Sequence, residues 1–227
     1  MSKLIDLLEK AGTQSVPILG FRPDKEEKNT SDIVSIGQIS EKNNFQKKYF
    51  SKNVKNQPNV FLLNEATALN LSLNIPKNII CGIQIDQLTK NEIQRIKKLG
   101  IDFVIFDPTV SEASILNETK IGKIPIVKTT NSEEENRALA ELPVDAIYIE
   151  HSIGKSPIKF QPIIEIQKIT NSIEIPSIIS CEPSIETSDL ETIRNIENNY
   201  KKWIKNAKNY DNSINIINLI RENKEKL

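Results

Sequence analysis

The feature that most constrains this chain is the recurrence of short apolar runs rich in isoleucine and valine. Eight occur: "VPILGF" (Val16–Phe21), "IVSIGQI" (Ile33–Ile39), "VFLL" (Val60–Leu63), "IICGIQI" (Ile79–Ile85), "FVIF" (Phe103–Phe106), "IPIVK" (Ile124–Lys128), "AIYIE" (Ala146–Glu150) and "PSIISC" (Pro176–Cys181). They return at intervals of roughly 20 to 30 residues, the length of one strand-plus-helix unit. Short strands alternating with helices imply parallel strands and right-handed crossovers. Eight such units in 227 residues predict a TIM-type (β/α)8 barrel. A doubly wound open sheet is the competing arrangement. No stretch reads as a linker, so residues 1–227 are expected to form a single domain.

The intervening stretches carry helix signals. "TKNEIQRIKKLG" pairs Thr89 with Glu92 as a capping box and stops at Gly100. "TNSEEENRALAELP" opens on Ser132, places three glutamates in its first turn and ends before Pro143. "TSDLETIRNIENN" opens on Ser188 and spaces Leu190, Ile193 and Ile196 three apart. "MSKLIDLLEKAG" reads as a short amphipathic N-terminal helix. Asp24–Asp32 and Glu41–Asn59 are charged and fit the rhythm poorly. Residues 200–227 read as a C-terminal helical tail, with Trp203 and Ile204 docking on the barrel and "INIINLIRENKEKL" as a terminal helix.

Composition narrows the function classes. Thirty basic residues balance thirty acidic ones, so no long-range field favours nucleic acid or a membrane surface. The chain shows no apolar leader and no window approaching a membrane span. Two cysteines and one histidine make a disulfide framework or a zinc site a poor fit. The expectation is a soluble, cytoplasmic protein, with Cys81 and Cys181 packed as small apolar residues on outer strand faces.

"LIDLLEKA" with "PILGF", and "RALAELPVDAIYIE" further on, resemble a family of uncharacterised bacterial TIM-barrel-like proteins. The resemblance implies an N-terminal helix and a "P-x-x-GF" segment ahead of the βα units, and an "LPVDA" turn feeding a late strand. It implies no activity and no catalytic residues. One place departs from the family pattern: a Gly-containing apolar strand should follow the helix matching Asp189–Ile196, but "ENNYKKW" stands there. This implies that a strand is lost, so that either "VPILGF" serves as a stave or the barrel is incomplete and degenerate.

In a barrel of this kind the C-terminal ends of the strands carry the site. The residues there are Arg22, Gln38, Asn64–Glu65, Gln84 and Asp86, Asp107, Lys128, Glu150–His151 and Glu182. Strand alternation points Asp86, Asp107, Lys128, Glu150 and Glu182 inward without exposing the outer apolar faces. Lys128, Asp107, Glu150 and Glu182 are therefore the candidate catalytic group, and Gln84, Asp86, Asn64 and Arg22 the candidate ligand-binding group. A lysine among carboxylates keeps its proton, which suits an electrostatic anchor better than a Schiff-base nucleophile. No dedicated metal site is read, although carboxylates from neighbouring strands could hold Mg²⁺. His151 falls one position beyond Glu150, away from the axis or in the loop. The "HSIGKS" stretch lacks the first glycine of a P-loop, and "CEPSIETSDL" places Glu182 and Pro183 where a phosphate would need backbone N–H groups. Flavin mononucleotide and sugar-phosphate chemistry are thereby disfavoured.

Two readings follow. One is a non-catalytic or degenerate barrel that serves as a small-ligand-binding or assembly module, favoured by Gly-poor loops and the lost strand. The other is a lyase or isomerase acting on a small anionic carbonyl or carboxylate metabolite at the barrel mouth.

Overall fold

The computed structural model describes residues 2–12, 34–39, 58–64, 75–173, 175–182, 185, 186, 188, 189, 193 and 203–207. Side chains of residues 9–12 and 203–207 lie outside that description. The elements are α1 (Lys3–Gly12), β1 (Val34–Ile39), β2 (Val60–Asn64), β3 (Ile80–Ile85), α2 (Lys90–Lys98), β4 (Phe103–Phe106), a 3₁₀ turn (Ala113–Asn117), β5 (Gly122–Val127), α3 (Glu133–Glu141), β6 (Ile147–Ile153), α4 (Phe160–Asn171), β7 (Ser177–Cys181) and β8 (Trp203–Ala207).

Every ladder is parallel, and the strand order follows the chain. A doubly wound sheet reverses its order at a switch point; β1 to β7 never do. Instead they curl, and the backbone of β8 lies in parallel register with both β7 and β1. At Trp203–Ala207 this corrects the expectation of a lost strand and of a helical tail, and the rest of residues 200–227 lies outside the described residues. The stretch around "YKKW" does contain a strand, at Trp203–Ala207. Its sequence hides it because lysine and asparagine interrupt the apolar run. "VPILGF" lies outside the described residues, as do Asp24–Asp32 and most of Glu41–Asn59, the whole of the proposed terminal helix, and all but three residues of the helix opening on Ser188.

Alternation sorts the strand residues into two cores. Val60, Leu62, Phe103, Ile105, Ile124, Ile126, Tyr148 and Ile178 pack together inside the curl of the sheet. Phe61, Leu63, Ile83, Val104, Val127, Ile147 and Ile179 pack outward, against the helices and loops. Cys81 and Cys181 lie on this outer side, buried and free, as the sequence predicts. Burial, reinforced by the charge of Asp102, pushes the Cys81 thiol far above its ordinary value, so Cys81 stays un-ionised and inert.

Helix α1 closes the N-terminal end of the curl. Leu4, Ile5 and Leu8 join the inner core. Asp102, just before β4, accepts hydrogen bonds from Ser2 Oγ (2.6 Å), Lys3 N (2.9 Å) and Leu4 N (2.9 Å). One carboxylate thus serves three donors at the start of the helix. Gly82 faces inward, where a Cβ would stand 2.1 Å from the Phe103 ring. The fully buried Phe103 occupies the space that any side chain at Gly82 would need.

The helix signals hold where they are strong. Thr89–Glu92 and Ser132–Glu135 both form complete capping boxes. Gly100, at φ 75, ends α2 in the left-handed conformation that suits glycine. After β4 the rhythm fails. The crossover is a 3₁₀ turn rather than an α-helix, with Pro108 two residues past the strand and Glu118 ending the turn. A groove of about 130 Å³ remains over the outer face there, lined among others by Phe106, Ile115, Pro125, Leu139 and Leu142.

Candidate functional site at the C-terminal ends of the strands

Plugging the N-terminal end with α1 leaves the other end of the curl as the place where polar side chains converge. Asp107 follows β4 directly and Lys128 follows β5, two neighbouring strands. Lys128 Nζ donates to Asp107 Oδ2 at 3.0 Å, with the two side chains 42% and 20% exposed. The pair is therefore open to solvent from above.

Asp107 has a second task. Its Oδ1 accepts from Thr109 N (2.8 Å) and from Thr109 Oγ1 (2.6 Å). This is an Asx turn, a side chain bonding its own backbone two residues on. The Thr109 hydroxyl is the largest influence on Asp107, followed by burial acting in opposition. Together with the Thr109 N–H and Lys128, it holds the carboxyl below its ordinary value. Lys128 moves upward, first through its hydrogen bond to Asp107, then through the charges of Asp107 and Glu150. Both partners are ionised at neutral pH, as the sequence predicts for Lys128.

Glu150 reaches Lys128 through its charge, but strand alternation does not place it as expected. Ile149 pairs with Ile179, whereas Ser152, not Glu150, pairs with Ser180. Two residues, Glu150 and His151, are inserted in a β-bulge, and Glu150 is exposed. The sequence argument assumes an unbroken strand, and a bulge is what breaks alternation. His151 turns outward, as expected, and its Nδ1 lies 3.4 Å from Glu165 Oε2 on α4.

The remaining candidates divide. Asn64 and Gln84 are register neighbours on β2 and β3, half-buried at the inward-facing ends of their strands. Asp86 is exposed beyond β3, and it is its backbone carbonyl that accepts from Asp107 N, at 3.1 Å. Glu182 is half-buried past β7, with its N–H donated to Ile153 O at 3.1 Å. Among the described residues its carboxylate makes no ion pair, so Lys128 is not ringed by four carboxylates in contact. Arg22 lies outside the described residues. No group of three or more His, Cys, Asp or Glu side chains among the described residues is arranged to hold a metal ion.

Sequence reasoning turns Ser180 inward by alternation but names neither Ser180 nor Ser152 as a site residue. Ser152 Oγ and Ser180 Oγ are shut off from solvent and have no hydrogen-bond partner among the described residues. The bulge is what brings them into register, and no local sequence signal marks it. In "HSIGKS", Ser156 Oγ accepts from Glu186 N at 2.6 Å and ties two loops together, a structural use of a stretch that superficially suggests phosphate binding.

No protein-family model matches the chain, and no curated protein matches it significantly. No helix among the described residues is long and apolar enough to cross a membrane.

Proposed function

We propose that this chain is a degenerate TIM-type (β/α)8 barrel of the uncharacterised bacterial family it resembles, and that it binds a small polar ligand at its C-terminal mouth without transforming it. The observation that carries this reading is the Asp107–Lys128 pair. Proton transfer near neutral pH needs a group that titrates there. Asp107 is held low and Lys128 high, each by the other and Asp107 also by Thr109. The same pair suits a fixed dipole that orients a ligand. Its charges cancel, and Glu150 adds a negative one nearby, so the mouth favours a neutral or cationic ligand over an anionic metabolite. The short 3₁₀ crossover after β4 supports degeneracy.

Native mass spectrometry of freshly purified protein, set against its denatured mass, tests the reading. A small organic mass that is released on denaturation and lost in Lys128→Ala is the expected result. A clean apo mass, with no shift in melting temperature across a panel of polar metabolites, would refute it.

The enzyme reading has one observation in its favour. Bulges recur beside active sites, where they re-aim a side chain, and the β6 bulge presents Glu150 near Lys128. As a lyase or isomerase the protein would use Glu150 as acid/base and Lys128 as anchor. NMR detection of α-proton exchange from small keto acids into D₂O, abolished by Glu150→Gln, would establish it.

A further inference from the structure

Ser152 and Ser180 are aligned across β6 and β7, one inward step above the Tyr148–Ile178 pair. Tyr148 and Ile178 belong to the inner core, while Ile153 and Cys181, the next residues along, belong to the outer one. Alternation therefore turns both serines into the curl of the sheet. Ser180 is 3% exposed, and neither hydroxyl oxygen touches solvent or a partner among the described residues. A buried hydroxyl without a partner is destabilising, and two side by side are not explained by packing, since alanine would fit with no polar atom to satisfy. Natural chains depart from full satisfaction chiefly at functional sites.

We infer that Ser152 and Ser180 form the polar floor of the mouth site and take an uncharged hydroxyl- or carbonyl-bearing end of the ligand. This rests on the ligand-binding reading above and gives the ligand a chemical class. A serine hydroxyl donates to a carbonyl or hydroxyl oxygen and also accepts from a hydroxyl, so the pair matches a polyol or a sugar without phosphate. A carboxylate end is excluded by charge. Among the described residues the cation of the mouth, Lys128, is already matched by Asp107, and Glu150 lies within electrostatic reach. Because both oxygens are sealed, the ligand reaches them only when the side chains above part.

The test titrates the full chain calorimetrically with erythritol, a neutral polyol, and separately with malonate, a dianion. The expected result is binding of erythritol in preference to malonate, weakened about tenfold or more, some 1.4 kcal/mol, in Ser180→Ala and in Ser152→Ala. The apo unfolding midpoints of both variants should stay unchanged or rise. Erythritol binding that is indifferent to both variants would overturn the inference while leaving the mouth-binding reading intact, as would preference for malonate. A marked fall in apo stability would show the hydroxyls to be structural and overturn it as well. Binding of neither probe, with a clean apo mass, would overturn both readings.

Discussion

At the scale of single residues, the chemistry of the mouth is set by Asp107. A carboxylate that accepts from a threonine hydroxyl, a backbone N–H and an ammonium is stabilised in its charged form. Its folded value therefore lies below the ordinary 3.8. The stabilisation it gives is present in full above that ordinary value and disappears as pH falls through the lower folded one. Carboxyl-carbon NMR should show Asp107 titrating below 3.8. In Thr109→Val the midpoint should climb back towards that value, since the Thr109 hydroxyl is the largest cause. An unchanged midpoint in Thr109→Val would assign the effect to the backbone N–H at 109 and to Lys128 instead. The neighbouring lysine is raised above its ordinary 10.5 by Asp107 and is held as an ammonium at neutral pH, which disfavours a Schiff-base role.

Among elements, α1 decides which end of the curl is open. Its apolar face joins the inner core, and its N-terminus is held by Asp102, a residue on a different element about a hundred positions away. Replacing Asp102 by alanine removes three hydrogen bonds and strands two backbone donors. The expected cost is about 1–3 kcal/mol, read as a lower urea midpoint. Hydrogen exchange should accelerate over residues 2–8 while the capping-box helices α2 and α3 stay protected. Equal exchange in wild type and variant would show that apolar contact alone holds the plug. The same device recurs elsewhere: Asp145 Oδ2 accepts from Lys123 N at 2.7 Å, and Asn59 Oδ1 from Ser35 N at 3.1 Å. Each is a short polar side chain at a strand start that ties back to the preceding strand. This gives the "LPVDA" turn a physical role in packing.

For the molecule as a whole, β1 to β7 form a curled parallel sheet whose first and last strands both lie in register with the backbone of β8. These two ladders are the seam of the sheet. A chain ending at residue 202 would expose the unpaired backbone of both neighbours, a template for association between chains. Such a chain should lose its single cooperative unfolding transition and aggregate with increasing concentration. An unchanged melting temperature and a monomeric profile in light scattering would show that β1 to β7 are stable without the seam.

Much of this protein was legible in the order of its residues. Apolar runs, capping boxes at Thr89 and Ser132, the stop at Gly100 and the inward alternation of Asp107 and Lys128 are local or periodic signals, and local energetics suffice to express them. They determined seven of the strands, the parallel α/β class and the end of the sheet where polar groups gather. Tertiary structure alone decided the rest. Trp203–Ala207 is a strand only because β7 and β1 offer it hydrogen bonds on both sides, an advantage that its lysine- and asparagine-rich sequence does not announce. The bulge at Glu150–His151 arises from pairing across β6 and β7, so exchanging Glu150 for Ser152 beside Ser180 is a matter of register between distant segments. Register depends on contacts far apart in the chain, and no window of sequence contains both partners.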